Sequence, residues 1–320
     1  MKRKNKKQVL VALILCSLLL SASALPTAAI NGPHTSARVS AQLNSLADTN
    51  SAIDTDGRVY PYLKGISNKS IWAHNRFDVI IGGKTLGVKG IEMNGVAYLP
   101  FRAASGMISG STYSYDSKNK TSVMRAPGLE ITVSDGCYVT YANGRALFNT
   151  TPCVIMNDGR LYVPVSVFAK AVGMSVGVDR GNIKLSGSFK PILHGDKFYK
   201  TDEVFWLGRI IHAESRGEPL LGQIAVGSVV LNRVKSAYYP NTIYGVIFDR
   251  KYGVQFSPIL DGSIYNTPGY SATLAAKIAL EGYDVTGGAF FFLNTALATS
   301  SWIPQNRDYA FTVGNHDFYY

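Results

Sequence analysis

From Leu220 to Val234 the chain is apolar on nearly every side of a helix. Leu220, Leu221, Ile224, Ala225, Val226, Val229, Val230, Leu231 and Val234 leave no broad polar stripe to face water. Such a helix belongs in the middle of a core, with other elements wrapped around it. Its two amides, Gln223 and Asn232, must then find internal hydrogen-bond partners or face a cleft. Pro219 fits the first helical position, and Arg216-Gly217-Glu218 reads as the turn before it.

The segment upstream reads as a second, amphipathic helix. Thr201 suits the N-cap, and Asp202 and Glu203 favour the positive end of the helix. At about 100° per residue, Trp206, Leu207, Ile210, Ile211 and Ala213 form one apolar arc. Arg209, His212 and Arg216 lie on the other side. Glu214 falls inside the apolar arc, between Leu207 and Ile210. Burial disfavours the charged form of a carboxylate and raises its pKa. An acid kept protonated near neutral pH is suited to donate a proton to a glycosidic oxygen. The alternative is a structural role, with Glu214 bracing the next helix or pairing with Arg216 or Arg233.

The N-terminus has the pattern of a secretory leader. Lys2, Arg3, Lys4, Lys6 and Lys7 precede the apolar run Val9 to Leu20, and Ala22-Ser23-Ala24 suits cleavage after residue 24. The run is too short to span a bilayer comfortably. Leu15 before Cys16 argues against a lipid-attachment site. No later segment is apolar for long enough to cross a membrane. The chain has 32 Lys plus Arg against 21 Asp plus Glu. Without the five basic residues of the leader, 27 face 21, a balance of about +6. For an exported chain, an anionic wall or membrane surface suits that charge better than nucleic acid, for which no motif is present. Cys137 and Cys153 remain, and an oxidising exterior permits but does not require a disulfide between them.

Composition divides the rest into three parts. Residues 25–70 are rich in Ser, Thr, Ala, Asn and Asp without periodicity, and read as a flexible arm. Residues 71–190 carry short β-like runs, Phe77 to Ile81, Leu129 to Val133 and Tyr138 to Tyr141. Turn pairs separate them: Asn94-Gly95, Asp135-Gly136, Asn143-Gly144 and Asp158-Gly159. This part repeats. Asn94 to Phe101 reads turn, strand, Pro100 and short helix, and Asn157 to Gly173 reads the same around Pro164. These residues resemble the copper amine oxidase N-terminal-like domain, which implies a spacer or wall-binding module. Despite that family's name, His74 is the only nearby histidine, so no copper centre is expected.

Residues 196–320 are enough for one self-sufficient core. A third helix is expected from Ser271 to Leu280, stopped by Gly282, with extended pieces at Phe290 to Leu293 and Tyr309 to Val313. In this unit HAESRGEP, GQIAVGSVVLNRV, YPNTIYGVIF, QFSP, TGGAFFFLN and GNHDFYY occur in order. Together they resemble the SleB/CwlJ-type cell wall hydrolase family, known from spore cortex lysis. Thr295 and Leu293 depart from that pattern, which has Pro and Tyr there. The expected fold class is therefore α+β: a lysozyme-like helical catalytic domain preceded by a small β-rich repeat domain.

The resemblance implies cleavage of peptidoglycan glycan strands by a lytic transglycosylase or muramidase, with Glu214 as general acid and base. It also implies action in the cell wall or spore envelope, including cortex during germination. Gln255, Phe256, Ser257 and Asn294 are expected to contact sugar. Trp302 reads equally as a sugar platform or as core, and His316 as a cleft residue or a structural one. A transglycosylase takes its nucleophile from the substrate, whereas hydrolases use a second carboxylate. Glu218, Asp249, Asp261 and Asp284 are candidates for that second group, and nothing in the sequence selects one. No cofactor or metal is expected: His212 and Glu214 sit about 160–200° apart on a helix, and HExxH is absent. The alternative is a non-catalytic envelope protein that holds the wall.

Overall fold

The computed structural model describes residues 51–53, 59–61, 75–149, 151–251, 253–298 and 301–320. The expected leader, most of the expected arm and His74 lie outside the described residues. In chain order the strands begin with β1 (Ser51–Ile53), β2 (Val59–Pro61), β3 (Asn75–Phe77), β4 (Val79–Ile81), β5 (Lys84–Thr85), β6 (Gly90–Met93) and β7 (Val96–Pro100). Helix α1 (Phe101–Ser105) precedes β8 (Thr112–Asp116), β9 (Thr121–Ala126), β10 (Leu129–Ser134), β11 (Val139–Ala142), β12 (Arg145–Phe148), β13 (Val154–Ile155) and β14 (Leu161–Pro164). Helix α2 (Val165–Val172), β15 (Ser175–Asp179) and β16 (Asn182–Ser186) follow. The remainder is mainly helical: α3 (Gly195–Phe198), α4 (Thr201–Ser215), α5 (Leu220–Lys235), α6 (Ile243–Ile247), α7 (Pro258–Asp261), a 3₁₀ turn (Ser263–Tyr265) and α8 (Tyr270–Leu280). It ends with β17 (Phe291–Leu293), α9 (Trp302–Asn306), β18 (Tyr309–Val313) and β19 (His316–Tyr319). The molecule is α+β, β-rich first and helical afterwards.

The chain divides into two compact units, and the first contains residues 66–135 and 149–192. Its two sequence repeats meet as neighbouring strands: β14 runs antiparallel to β7, with Val163 opposite Leu99 and Pro164 opposite Tyr98. Each strand ends in the proline that the sequence marked. Pro100 and Pro164 take extended backbone just before α1 and α2, one residue ahead of the expected place. The first residues of those helices and the strand ends are buried, and Phe101 meets Phe168 edge to face at 6.3 Å. The repeat therefore supplies two copies of one strand-to-helix corner around one core. Asn94 and Gly95 both have positive φ, 50° and 77°, and close the β6–β7 hairpin. That conformation is the reason for Asn-Gly at this turn.

The second unit contains residues 193–320 and also Gly136–Phe148. That division departs from the single boundary expected near residue 190. The β11–β12 hairpin, turned by Asn143 and Gly144 at φ 49° and 74°, packs into the helical core through Val139 and Ala146. Arg145 fixes it there. Its Nε and Nη2 each lie 2.7 Å from the carboxylate of Glu281, and both side chains are nearly sealed from solvent. Tyr199 donates to the same carboxylate at 2.9 Å, and the Ala146 amide donates to the Tyr199 oxygen at 3.0 Å.

Helix α5 is the centre of this unit, as its all-round apolarity requires. Leu221, Ile224, Val226, Val229 and Val230 are buried, and α4 and α8 pack against it. The amides on α5 are satisfied internally. Gln223 Nε2 donates to the Glu218 carbonyl at 2.8 Å, and Asn232 Nδ2 lies within 3.2 Å of Asp284, Thr286 and Ala289 oxygens. Pro219 precedes the helix rather than opening it, and Thr201 is the first helical residue of α4, not its cap. Lys200 holds the cap position, and its ammonium reaches Glu203 at 2.8 Å. Strands β17, β19 and β18 form a small antiparallel sheet whose inner face adds Phe311, Val313 and Phe318 to the core.

Cys137 and Cys153 are both buried and carry no disulfide. The Cys153 Sγ accepts a hydrogen bond from Asn149 Nδ2 at 3.4 Å. Among the described residues, no helix is long and apolar enough to cross a membrane.

Candidate active site

Glu214 lies in the last turn of α4, one residue before its end. Leu207 and Ile210, which flank it on the helix surface, are fully buried, and Glu214 itself is half-buried. No hydrogen bond to a described residue holds its carboxylate. Burial pushes its pKa up to about 7, and the negative charge of Asp261 adds to the rise. The expected pairings with Arg216 or Arg233 are not made. Arg216 is exposed, and Arg233 is engaged elsewhere: its Nε donates to the Phe290 carbonyl at 2.8 Å, among Tyr239, Phe256 and Phe291. A half-sheltered acid without a partner, able to gain or lose a proton near neutral pH, is suited to general acid–base work.

Asp261 ends α7, the short helix after the Gln255-Phe256-Ser257 loop. It is exposed, and hydrogen bonds from the Ser263 hydroxyl and amide hold its carboxyl below the usual aspartate range. The amide contact to Oδ1 is 2.8 Å. The two carboxyls are thus pushed in opposite directions. Leu260 and Tyr265, on either side of Asp261 in sequence, are also strongly exposed, at 73% and 61%.

The other candidate second carboxylates are engaged in structure. Asp249 accepts from the Lys251 amide at 2.9 Å. Asp284 closes its own loop, taking the Thr286 and Gly288 amides at 2.7 and 3.1 Å and the Thr286 hydroxyl. Glu218 is a clasp. Its Oε2 accepts from the Asn315 amide and its Oε1 from the Asn315 side-chain amide, both at 2.9 Å. His316 Nδ1 is 3.7 Å from Oε1. Gly314 makes room for this contact: a Cβ there would overlap Glu218 Oε2. The clasp ties the turn that follows Glu214 to the β18–β19 hairpin.

The expected sugar contacts divide. Phe256 is 3% exposed, wedged into the core near Arg233 and 6.3 Å from Phe292 between ring centres. It offers no face to a ligand, which corrects the expectation. Its neighbours differ: Gln255 is half-buried and donates to the Gly253 carbonyl at 3.0 Å, while Ser257 is exposed. His316 is buried against Phe292 and Phe318, and burial lowers its pKa. At 6% exposure its ring offers no open face to a ligand. Asn294 is half-buried, with Oδ1 accepting from the Ala296 amide at 3.1 Å. Trp302 is 51% exposed, so of its two readings the core one fails. Its ring lies near Phe291 and the Arg307 guanidinium. His212 accepts from the Gly269 amide at 3.3 Å through Nδ1, on the side of α4 away from Glu214.

Residues 217–319 match the family model described as Cell Wall Hydrolase, and residues 80–186 match that of the copper amine oxidase N-terminal domain. The spore cortex-lytic enzyme of Bacillus cereus is 42% identical over 120 residues, covering 38% of this chain and 45% of that protein. The spore cortex-lytic enzyme of Halalkalibacterium halodurans is 38% identical over 120 residues, 38% of this chain and 35% of that one. The chain thus spans less than half the length of these relatives. Among solved structures, the catalytic domain of the germination-specific lytic transglycosylase SleB from Bacillus anthracis is 40% identical. It aligns over 40% of this chain and all of that one, with a TM-score of 0.36.

Proposed function

With a cell wall hydrolase domain at the C-terminus and a copper amine oxidase N-terminal-like domain before it, we propose that this protein cleaves the glycan strands of peptidoglycan as a lytic transglycosylase, with Glu214 as its acid and base. The observation that carries this reading is Glu214 itself: a half-buried carboxylic acid with a pKa near 7 and no partner, in the last turn of α4. The relatives named for cortex lysis support spore cortex as the substrate, and the leader-like N-terminus supports action outside the cell.

The chemistry follows from one acid that is protonated at the start. Glu214 gives its proton to the oxygen between N-acetylmuramic acid and N-acetylglucosamine. The C1–O bond breaks, and its electron pair stays on the leaving oxygen. General acid help of this kind contributes about 10² to 10⁴-fold. Positive charge develops at C1 of the muramic acid. The Glu214 carboxylate then takes the proton from the C6 hydroxyl as that oxygen bonds to C1, which closes a 1,6-anhydro ring and regenerates the acid. If water attacks in place of the C6 hydroxyl, the product has a reducing end.

The test is glycan release from purified cortex and vegetative peptidoglycan by the wild type and by Glu214→Gln. Release by the wild type alone, with anhydro ends seen by mass spectrometry, supports the reading. Equal release by both proteins, or release by neither, rules it out. Reducing ends in place of anhydro ends redirect it to a muramidase.

A further inference from the structure

We propose that Trp302 and Arg307 form one subsite for an acidic glycan strand, the indole taking the face of a sugar ring and the guanidinium a carboxylate borne by that sugar. This inference rests on the glycan-cleavage reading and adds to it a residue, Arg307, that sequence spacing does not mark.

The geometry is a ladder of rings and guanidiniums that runs from the core of the second unit to its surface. Phe256 lies at the buried end, 3% exposed, with the Arg233 Cζ 5.2 Å from its ring centre. The same Cζ is 5.5 Å from the Phe291 ring centre. Arg307 follows, its Cζ 4.6 Å from the Phe291 ring centre and 5.2 Å from that of Trp302. Trp302 closes the series at 51% exposure, edge-on to Phe291 at 6.5 Å. Hydrogen bonds fix the outer end. The Arg307 amide donates to the Ile303 carbonyl at 2.9 Å, and Asn306 Nδ2 donates to the Trp302 carbonyl at 2.8 Å. Phe291 sits in β17, which is paired with β19. The ladder therefore joins the Gln255-Phe256-Ser257 loop to Trp302, side chain by side chain.

The two arginines differ in what they leave for a ligand. Arg233 is 5% exposed, and its Nε is taken by the Phe290 carbonyl. Arg307 is exposed, and among the described residues its guanidinium makes no ion pair and no hydrogen bond, not even with Asp308 beside it in sequence. The two rings hold it by cation–π attraction, which leaves its in-plane donors open. A guanidinium held in this way presents a planar fork that matches a carboxylate. The exposed indole next to it offers an electron-rich face to the C–H groups of a sugar ring. One sugar of peptidoglycan carries both features. Muramic acid has a ring and, on its lactyl ether, a carboxyl that is free where no peptide is attached. Where a peptide is attached, it brings carboxylates of its own. A neutral glycan gives the indole a ring and the guanidinium nothing, so the pair selects acidic strands.

The experiment measures binding by titration calorimetry. It uses the full chain as Glu214→Gln, to keep the strands intact, alone and combined with Arg307→Ala, Arg307→Lys or Trp302→Ala. The ligands are soluble glycan strands freed of peptide, the same strands with their carboxyls converted to methylamides, and strands that keep their peptides. Both side chains are exposed, so the variants should fold, and circular dichroism checks this. For peptide-free strands, Arg307→Ala should raise Kd about three- to tenfold, the scale of one charge-assisted contact at a surface. Arg307→Lys should recover only part of that, since it keeps the charge and loses the fork. Methylamide strands should bind equally weakly with and without the Arg307 side chain. Trp302→Ala should weaken charged and methylamide strands alike, by about fivefold. A loss with Arg307→Ala on peptide-free strands places the carboxylate on the lactyl group, and a loss confined to peptide-bearing strands places it on the peptide; both support the subsite. Unchanged binding by Arg307→Ala, an equal loss on methylamide strands, or no binding of any strand overturns it. Wild-type cleavage of the same strands, run alongside, tests the glycan-cleavage reading separately. A wild type that cleaves nothing removes that reading even where the binding pattern supports the subsite, and one that cleaves while Arg307→Ala binds normally removes the subsite alone.

Discussion

At the scale of the residue, the burial of Glu214 makes its ionisation a cost to the fold. Its folded pKa, about 7, lies above the value of a free glutamate. The contribution of such a group is fully present below the free value and is lost as pH rises through the folded one. Between about pH 4.5 and 7 the folded protein therefore loses stability that Glu214→Gln does not lose. We expect Glu214→Gln to cost at least 10²-fold in glycan cleavage. Above pH 7 it should be more stable than the wild type, by up to about 2 kcal/mol. Thermal melts of both proteins at pH 5 and pH 8 check this, and a variant less stable at pH 8 contradicts it. The same pKa predicts that wild-type cleavage falls as pH rises through about 7, since only the protonated acid can donate.

At the scale of the element, the clasp on Glu218 holds the β18–β19 turn to the start of α5. Gly314 has φ 57°, and a Cβ there would meet the Glu218 carboxylate. Gly314→Ala should therefore cost about 2 kcal/mol or more, through backbone strain and the lost hydrogen bonds of a buried carboxylate. Denaturant unfolding measures this, and a cost under about 0.5 kcal/mol would show that the turn relaxes without the clasp. The apolar pattern of α5 was legible because a helix buried on all sides has no polar stripe. The clasp was not legible: Glu218 and Asn315 are far apart in sequence, and a Glu before a proline reads as an ordinary helix-start residue. Phe256 was misread for a related reason. A loop aromatic looks the same in sequence whether its ring turns outward or into the core, and here Phe292 and Arg233 take it inward.

At the scale of the whole molecule, the second unit is discontinuous in sequence. Hairpin residues 136–148 belong with 193–320, and the Arg145–Glu281 pair is sealed within that unit. Replacing one partner leaves the other charge buried and alone, which costs about 3–5 kcal/mol. Arg145→Ala should lower the thermal midpoint of this unit accordingly, and a fragment of residues 193–320 without the hairpin should show a similar loss. Scanning calorimetry of the variant and the fragment beside the full chain makes the comparison. An unchanged midpoint in Arg145→Ala removes the hairpin's structural role.

The sequence by itself determined the central helix, the acid on the apolar arc of its neighbour, the repeated strand–proline–helix corner and the order of motifs shared with cell wall hydrolases. All of these are patterns of local periodicity or short spacing, which a chain carries before it folds. Only the tertiary structure decided which aromatic is core, how Glu218 is engaged, and that a hairpin from the β-rich region completes the helical unit. Those outcomes depend on groups distant in sequence arriving at one place, where burial and hydrogen-bond partners set each side chain's charge and exposure.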